Sequence, residues 1–304
     1  MKAWRTPGFL ISVCLFLAIA VGMFGISRLL SGGDADDTSG FSLGFGDKDV
    51  VGLVRIKGNI FDAKKTVDSL TKMRRSSRVK SLLLRIDSPG GAVAPTQEIY
   101  EEVQRFRKTG RKVVASLGSV AASGGYYIAS AADKIFSYPG TVTGSIGVIV
   151  VLPNAEKMLG KLGLSFNVIK SAPHKDMGSP LRPMTDEDRK IFQNLIDDTY
   201  EQFVAAVSRG RNMSVDRARK IADGSVYSGE RAMKLGLVDS LGSQWDAALE
   251  AARFAKIEGE PRLFEIKSRE GFLGMFNKSV MGWLNGGASS YFGGSPVMLQ
   301  YMWR

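Results

Sequence analysis

The sequence predicts an α/β fold in which strands and helices alternate and the strands pair in parallel. Apolar runs of strand length alternate with segments whose apolar residues recur at helical spacing, from residue 50 to residue 117. Two of these predicted strands end in loops rich in glycine and serine, at 87–91 and 119–125. Ligands of open α/β sheets bind at the carboxyl ends of strands, so these loops are the candidate functional region.

The remaining elements follow from the same two periodicities and from capping residues. Strands are predicted at 50–56, 79–86, 112–117, 134–137, 142–151 and 166–170, with edge strands at 238 and 263–266. Helices are predicted at 63–75, 98–106, 126–132, 154–162, 215–222, 229–235 and 244–255, and a long helix begins after Thr185. Residues 171–183 contain three prolines and are predicted to form a loop.

Composition excludes several classes of protein. The 304 residues carry a formal net charge of +11, but no zinc spacing and no aromatic RNA-binding strand accompany it, so nucleic acid is not an expected partner. Anionic lipid near a membrane explains the charge better. Cys14 and His174 are the single residues of their types, so no intramolecular disulfide and no site needing two imidazoles is possible. No metal or other cofactor is predicted.

The amino-terminal segment has the features of a membrane anchor. Lys2 and Arg5 precede an apolar run at 9–26, whose 18 residues are at the lower limit for a spanning helix. No A-x-A cleavage site follows, which favours an uncleaved anchor over a removable signal peptide. We therefore predict four segments: a cytoplasmic start and transmembrane anchor at 1–30, a flexible linker at 31–48, a catalytic domain at 49–268, and an apolar tail at 269–304.

Ser123 is the candidate nucleophile. It stands in a sharp turn between an apolar strand and a short predicted helix, with small residues on both sides. That arrangement resembles a nucleophile elbow, although Ala121 replaces the first glycine of G-x-S-x-G. The alternative is that Ser123 only caps the helix, which serine often does.

The loop at 87–91, DSPGG, is the second half of the candidate site. Its glycines allow a close approach of backbone to a ligand and leave N–H groups free. We expect the N–H groups of Gly90 and Gly124 to form an oxyanion hole, with Gly91 in the same substrate-binding loop. Asp87 suits a turn residue better than the acid of a triad.

Four segments together resemble one known family. They are DSPGG at 87–91, SVAASGGYY at 119–127, GTVTGSIGV at 140–148 and KSAPHKDMGSP at 170–180. In this order and spacing they resemble the short form of bacterial signal peptide peptidase A, a membrane-anchored serine protease. The resemblance implies the ClpP/crotonase-like fold, a superhelix of repeated β-β-α units, together with an amino-terminal transmembrane helix.

The resemblance also decides a choice that the residues leave open. A serine nucleophile needs a base, and the loop 170–178 offers His174 and two lysines. The family uses a Ser-Lys dyad, which implies Lys175 as the general base and Ser145 as the residue that orients it. Asp176 would raise the pKa of a lysine that it paired with, so we expect it to point away from Lys175.

The implied function is the degradation of remnant signal peptides and other hydrophobic peptides through an acyl-enzyme. The resemblance implies a homo-oligomer, an octameric ring in the short form, held by a single pass in the bacterial inner membrane with its catalytic domain on the extracytoplasmic side. The tail at 269–304 either has no fixed structure, lies on lipid, or fills the groove of a neighbouring subunit. Two other functions remain open at this stage: a crotonase-like acyl-CoA enzyme and a non-catalytic membrane scaffold.

Overall fold

Parallel strand pairing organises the part of the chain that the structure describes, residues 48–266 and 300–302 of a computed structural model. The strands are β1 (Val50–Lys57), β2 (Val79–Ser88), β3 (Gly90–Ala92), β4 (Lys112–Ala122), β5 (Lys134–Ser137), β6 (Val142–Gly144), β7 (Val226–Ser228), β8 (Ser240–Leu241), β9 (Leu263–Glu265) and β10 (Gln300–Met302). The helices are α1 (Lys64–Arg75), α2 (Val93–Arg107), α3 (Gly124–Ala129), α4 (Glu156–Lys161), α5 (Asp186–Gly210), α6 (Val215–Ile221), α7 (Gly229–Leu235) and α8 (Gln244–Phe254).

The main sheet runs in the order β7-β6-β4-β2-β1-β9. The pairs of β1 with β2 and of β2 with β4 are parallel, as the alternation of strands and helices predicts. Strand β4 changes partner along its length, pairing with β5 through residues 114–116 and with β6 through residues 120–122. The last residues of β4 are therefore held between β2 and β6, immediately before Ser123.

Helices cover both faces of this sheet, which explains why its central strands are apolar without interruption. Leu82, Leu84 and Ile86 of β2 belong to the larger core cluster, with residues of α1, α2, α3 and α5. Leu83 points to the other face and packs in a second cluster with four alanines of α8. The small alanine side chains let α8 lie close to this face of the sheet.

Three sequence predictions differ from the structure at strand ends. Strand β4 continues to Ala122 because its last residues gain a partner in β6. The strand predicted at 142–151 ends at Gly144 because Ser145 adopts a φ of 50°, which an extended strand does not allow. Residues 166–170 form no strand, since no neighbouring segment pairs with their backbone, and Ile169 is fully exposed.

Several predictions fall on residues that the structure does not describe. The predicted anchor at 9–26, nearly all of the linker, and residues 269–299 and 303–304 of the tail lie outside the described residues. Within 48–266 and 300–302, no helix is long and apolar enough to cross a membrane.

Candidate active site

Ser123 occupies a strained turn between β4 and α3. Its φ of 52° and ψ of −117° lie where residues with a side chain are rarely found. Only 1% of the residue is exposed, and its side chain makes no hydrogen bond that caps α3. The backbone is instead fixed by a 2.8 Å hydrogen bond from Ser123 N to the carbonyl oxygen of Gly144. The capping alternative therefore does not explain this serine.

Ser145 lies beside this turn. It directly follows Gly144, whose carbonyl oxygen accepts the hydrogen bond from Ser123 N. Ser145 also has a positive φ, 50°, and its own N–H donates to the carbonyl oxygen of Ser225 at 2.7 Å. The structure thus brings together two predicted site residues, Ser123 and Ser145, that are 22 positions apart in the sequence.

The two glycine loops also meet. A methyl group added to Gly90 would lie 2.7 Å from the amide nitrogen of Gly124, and one added to Gly124 would lie 3.2 Å from the Cα of Gly90. Gly90 has a φ of +103°, a conformation that favours glycine. Glycine is therefore required at both positions for the DSPGG loop to approach the turn at Ser123.

Within the DSPGG loop, the backbone groups face different directions. The carbonyl oxygen of Gly90 accepts from Ile60 N at 2.9 Å, and Ala92 N donates to the carbonyl oxygen of Ile60 at 2.8 Å. The N–H of Gly90 donates to Ser88 Oγ at 3.1 Å. Because directions alternate along a strand, the N–H of Gly91 faces away from Ile60, towards β10. Asp87 accepts a hydrogen bond from Val120 N at 3.1 Å and so ties the DSPGG loop to the last residues of β4, as a turn residue can.

A segment of the chain itself lies along this loop. Strand β10 runs antiparallel to β3, with Tyr301 opposite Gly91 and Met302 opposite Gly90. On its other side, Gln300 exchanges two 3.1 Å hydrogen bonds with Ile149. A methyl group added to Gly90 would lie 1.9 Å from the carbonyl oxygen of Tyr301 and 2.7 Å from Gly124 N, so these two atoms are on the same side of Gly90. An extended chain thus presents a backbone carbonyl beside the turn at Ser123.

The side chain of Tyr301 fills an aromatic pocket. Its ring stacks on Tyr127 with centroids 5.1 Å apart and contacts Phe203 at 4.9 Å. Tyr100 packs edge-on against Tyr127 at 4.9 Å, and Tyr301 donates its hydroxyl proton to the carbonyl oxygen of Thr199. Burial raises the pKa of Tyr127 to about 12, so this phenol stays neutral. Sequence reasoning missed this pocket, because aromatic residues at helical spacing are equally typical of a core.

The loop with the candidate base forms no hydrogen bond with Ser123 among the described residues. Lys175 is exposed, and no hydrogen bond or ion pair of its amine occurs among the described residues. His174 is also exposed, with Nε2 3.5 Å from a carboxylate oxygen of Glu187. As expected, Asp176 pairs with Arg182 and Lys170 instead of Lys175, at 3.0 and 2.7 Å. Hydrogen bonds from Arg182 and then Lys170 hold the pKa of Asp176 well below its usual range.

Comparison with known proteins identifies the family. Residues 105–258 match the family described as Peptidase family S49, and residues 53–143 match the family described as Clp protease. This chain is a member of peptidase family S49. The mixed α/β sheet agrees with the second match, since it is consistent with a ClpP-like fold.

Three relatives illustrate the S49 membership. A Synechocystis sp. protein named as a protease is 46% identical over 195 residues, which cover 64% of this chain and 70% of that protein. An Enterococcus faecium protein named as signal peptide peptidase SppA is 39% identical over 178 residues, 59% of this chain and 52% of that protein. Protease 4 of Salmonella typhi is 36% identical over 193 residues, 64% of this chain and 31% of that protein.

These matches decide between the functions that the sequence left open. The chain is an SppA-type S49 peptidase and a serine endopeptidase.

Proposed function

We propose that this S49 peptidase cleaves peptide bonds by attack of Ser123 Oγ on a carbonyl carbon held against β3. The observation that carries the proposal is the backbone of Ser123, a buried residue kept at a φ of 52° with no capping bond to account for it. Strain of this kind persists where surrounding structure imposes it, and it is characteristic of a nucleophile elbow. The attack forms an ester with Ser123 and releases the amine; water then hydrolyses the ester.

The oxyanion is proposed to bind the N–H groups of Gly124 and Gly91. Gly90, expected from the sequence to be a donor, has its N–H engaged by Ser88 Oγ. The N–H of Gly91 lies opposite Tyr301 and faces the groove between β3 and Ile149, which β10 occupies. The carbonyl oxygen of Tyr301 stands in for the substrate oxygen, and its position beside Gly124 N supports this pair of donors. In this proposal Gly90 contributes the space that lets the two loops approach.

The substrate is proposed to be an extended hydrophobic peptide, such as a remnant signal peptide. Strand β10 supports this, because it shows the geometry in which a peptide adds as a strand between β3 and Ile149. The pocket around Tyr301 suits a large side chain on the residue whose carbonyl faces Ser123. The carbonyl would belong to the bond that is cleaved.

The general base is proposed to be Lys175 supplied by a second copy of the chain. A lysine accepts a proton only when neutral, and burial among apolar groups favours the neutral form. The segment preceding Lys175 offers such groups, because Leu164, Phe166 and Val168 are each about half exposed in the single chain. Packing this segment against a neighbour would bury it and bring Lys175 to a Ser123–Ser145 pair. A closed ring, expected to contain eight copies, repeats this contact.

The enzyme is further proposed to act beside the bacterial inner membrane. The apolar run at 9–26 and the positive residues before it support a single-pass anchor with the catalytic domain on the extracytoplasmic side. A peptidase held at this surface would meet hydrophobic peptides that remain in the lipid.

Point variants of the full chain in detergent test the dyad. We expect Ser123→Ala and Lys175→Ala to abolish hydrolysis of a fluorogenic hydrophobic peptide, and His174→Ala to retain it. Loss of activity in His174→Ala together with retained activity in Lys175→Ala would indicate that His174, and not Lys175, is the general base. Full activity of Ser123→Ala would remove the proposed mechanism.

Mixing two inactive variants tests whether the dyad crosses an interface. If Ser123→Ala and Lys175→Ala subunits are dissociated together and reassembled, some interfaces combine an intact serine with an intact lysine from the neighbour. In a ring with random mixing, about a quarter of the sites should be active. No recovered activity, in a mixture shown by light scattering to be oligomeric, would place both residues in one chain.

A further inference from the structure

Ser88, a residue with no role in the mechanism above, lies where the two glycine loops join. It is the last residue of β2 and is completely buried. It pairs with Ala121 of β4, two residues before Ser123. Its carbonyl oxygen would lie 2.6 Å from a methyl group on Gly125, in the first turn of α3. Ser88 therefore contacts both the strand and the helix that flank the nucleophile.

The hydroxyl of Ser88 both donates and accepts a hydrogen bond. It donates to the carbonyl oxygen of Gly58 at 2.6 Å and accepts from the N–H of Gly90 at 3.1 Å. The acceptor bond spans only two residues, so it closes a tight serine turn across Pro89. The donor bond ties this turn to the segment after β1. Between them, the two bonds hold the start of β3 from both sides.

The orientation of the peptide unit between Gly90 and Gly91 determines whether the N–H of Gly91 faces the groove. Its carbonyl, on Gly90, points to Ile60 N, and its N–H, on Gly91, points to the groove. Glycine on both sides makes rotation of this unit easy, because no Cβ opposes it. The bond from Gly90 N to Ser88 Oγ holds the adjoining peptide unit, between Pro89 and Gly90, so that the Gly90–Gly91 unit starts from a fixed position.

We propose that Ser88 is a positioning residue whose hydroxyl keeps the N–H of Gly91 directed at the oxyanion. This inference rests on the proposed function of Gly91 and Ser123. Without the hydroxyl, the peptide unit samples orientations in which Gly91 N–H no longer faces the substrate carbonyl. Substrate still adds to β3 as a strand, whereas the negative charge that forms during attack loses part of its stabilisation.

The test compares Ser88→Ala with Ser88→Thr and Ser130→Ala in the full chain. Ser130 is the matched control, a buried serine whose hydroxyl also donates to a backbone carbonyl, that of Tyr127 at 2.7 Å. Active sites are counted with a fluorophosphonate, and kcat and KM are measured per active site. For Ser88→Ala we expect kcat to fall about ten- to a hundredfold, less than the 10²–10³ typical for outright loss of an oxyanion donor. KM should change less than threefold.

A peptide aldehyde separates positioning from simple loss of folded enzyme. It forms a tetrahedral adduct, so its affinity for Ser88→Ala should fall by the same factor as kcat/KM. The affinity of the matching peptide amide, which forms no adduct, should stay unchanged. Ser88→Thr keeps a hydroxyl and should recover part of the aldehyde affinity, while Ser130→Ala should bind both ligands as the wild type does.

Two results would overturn the inference. One is an unchanged kcat and aldehyde affinity per active site in Ser88→Ala. The other is an equal loss of aldehyde and amide affinity, which would indicate a general disturbance of the groove. If Ser123→Ala is inactive while Ser88→Ala behaves as wild type, the role of Ser88 fails and the proposed mechanism stands. If Ser123→Ala is fully active, the mechanism itself fails.

Discussion

Gly124→Ala tests directly whether the two glycine loops form one catalytic site. The added methyl group would lie 2.9 Å from Thr96 Oγ1 and 3.2 Å from both the Cα of Gly90 and the carbonyl oxygen of Tyr301. Comfortable contacts between such atoms are about 3.5–4.0 Å. The hydroxyl of Thr96 cannot simply turn aside, because it donates to the carbonyl oxygen of Ala92 at 2.8 Å. The loops must therefore separate by roughly 0.5 Å.

A separation of this size has a predictable cost. Overpacking a tight interior position destabilises a protein by about 1–3 kcal/mol. Misplacing reacting groups by about 1 Å costs about 10²-fold in rate, so we expect kcat/KM to fall roughly tenfold or more. Gly140→Ala is the matched control, since a methyl group there would meet no atom within 4 Å. It should retain wild-type activity and melting temperature.

The assay is hydrolysis of a fluorogenic peptide by the full-length enzyme, expressed per active site after fluorophosphonate titration. Thermal melting is measured in parallel, so that loss of folded protein is not mistaken for loss of rate. If Gly124→Ala cleaves the peptide as fast as Gly140→Ala does, the loops do not need their observed approach. The assignment of Gly124 to the oxyanion site would then be wrong.

Two further predictions concern the groove and the loop with the candidate base. Tyr301→Ala empties the aromatic pocket, so an added peptide no longer competes with that side chain and the KM for the peptide should fall about tenfold. Tyr138→Ala, at a half-exposed tyrosine, is the control. An unchanged KM in Tyr301→Ala would contradict the proposal that the peptide binds where Tyr301 lies. Arg182→Gln breaks the pair with Asp188 and should lower kcat and the melting temperature more than Arg189→Gln, at an exposed neighbouring position. Arg182 also pairs with Asp176 and lowers the pKa of both carboxyl groups, to about 2 for Asp188, so this difference in melting temperature should be full above about pH 4 and decrease as the pH falls through the two lowered pKa values; a difference independent of pH would argue against the pairs.

The sequence predicted that two glycine loops follow neighbouring strands, because the signals for these loops are local and strong. The central strands are buried on both faces, so they appear as continuous apolar runs whose ends are easy to recognise. The turn at Ser123 requires small neighbours, and the DSPGG loop requires glycines, so both were visible as patterns. Parallel pairing then places the ends of β2 and β4 at the same edge of the sheet. That these loops meet follows from topology alone.

The direction of individual N–H groups could not be predicted in this way. Glycine permits either orientation of a peptide unit, so the presence of Gly90 and Gly91 does not say which N–H faces the groove. The choice is made by contacts from elsewhere in the chain. Ile60 engages the carbonyl of Gly90, and Ser88 engages its N–H. The sequence pointed to the loop that we propose as the donor, whereas the direction of each N–H group depends on these partners.

The segment at 164–169 shows a second limit, because its periodicity predicts a strand that the structure does not contain. The sequence predicts a strand at 166–170, and the apolar residues Leu164, Phe166 and Val168 alternate with polar ones as if one side of an extended segment were buried. In the single chain these three side chains stay about half exposed. Periodicity indicates that apolar side chains are buried, but it cannot distinguish burial within the same chain from burial against another chain. The exposed Lys175 lies only a few residues further along, so an unfilled contact and an unpaired candidate base occur in the same part of the molecule. A second copy of the chain would satisfy both requirements at once.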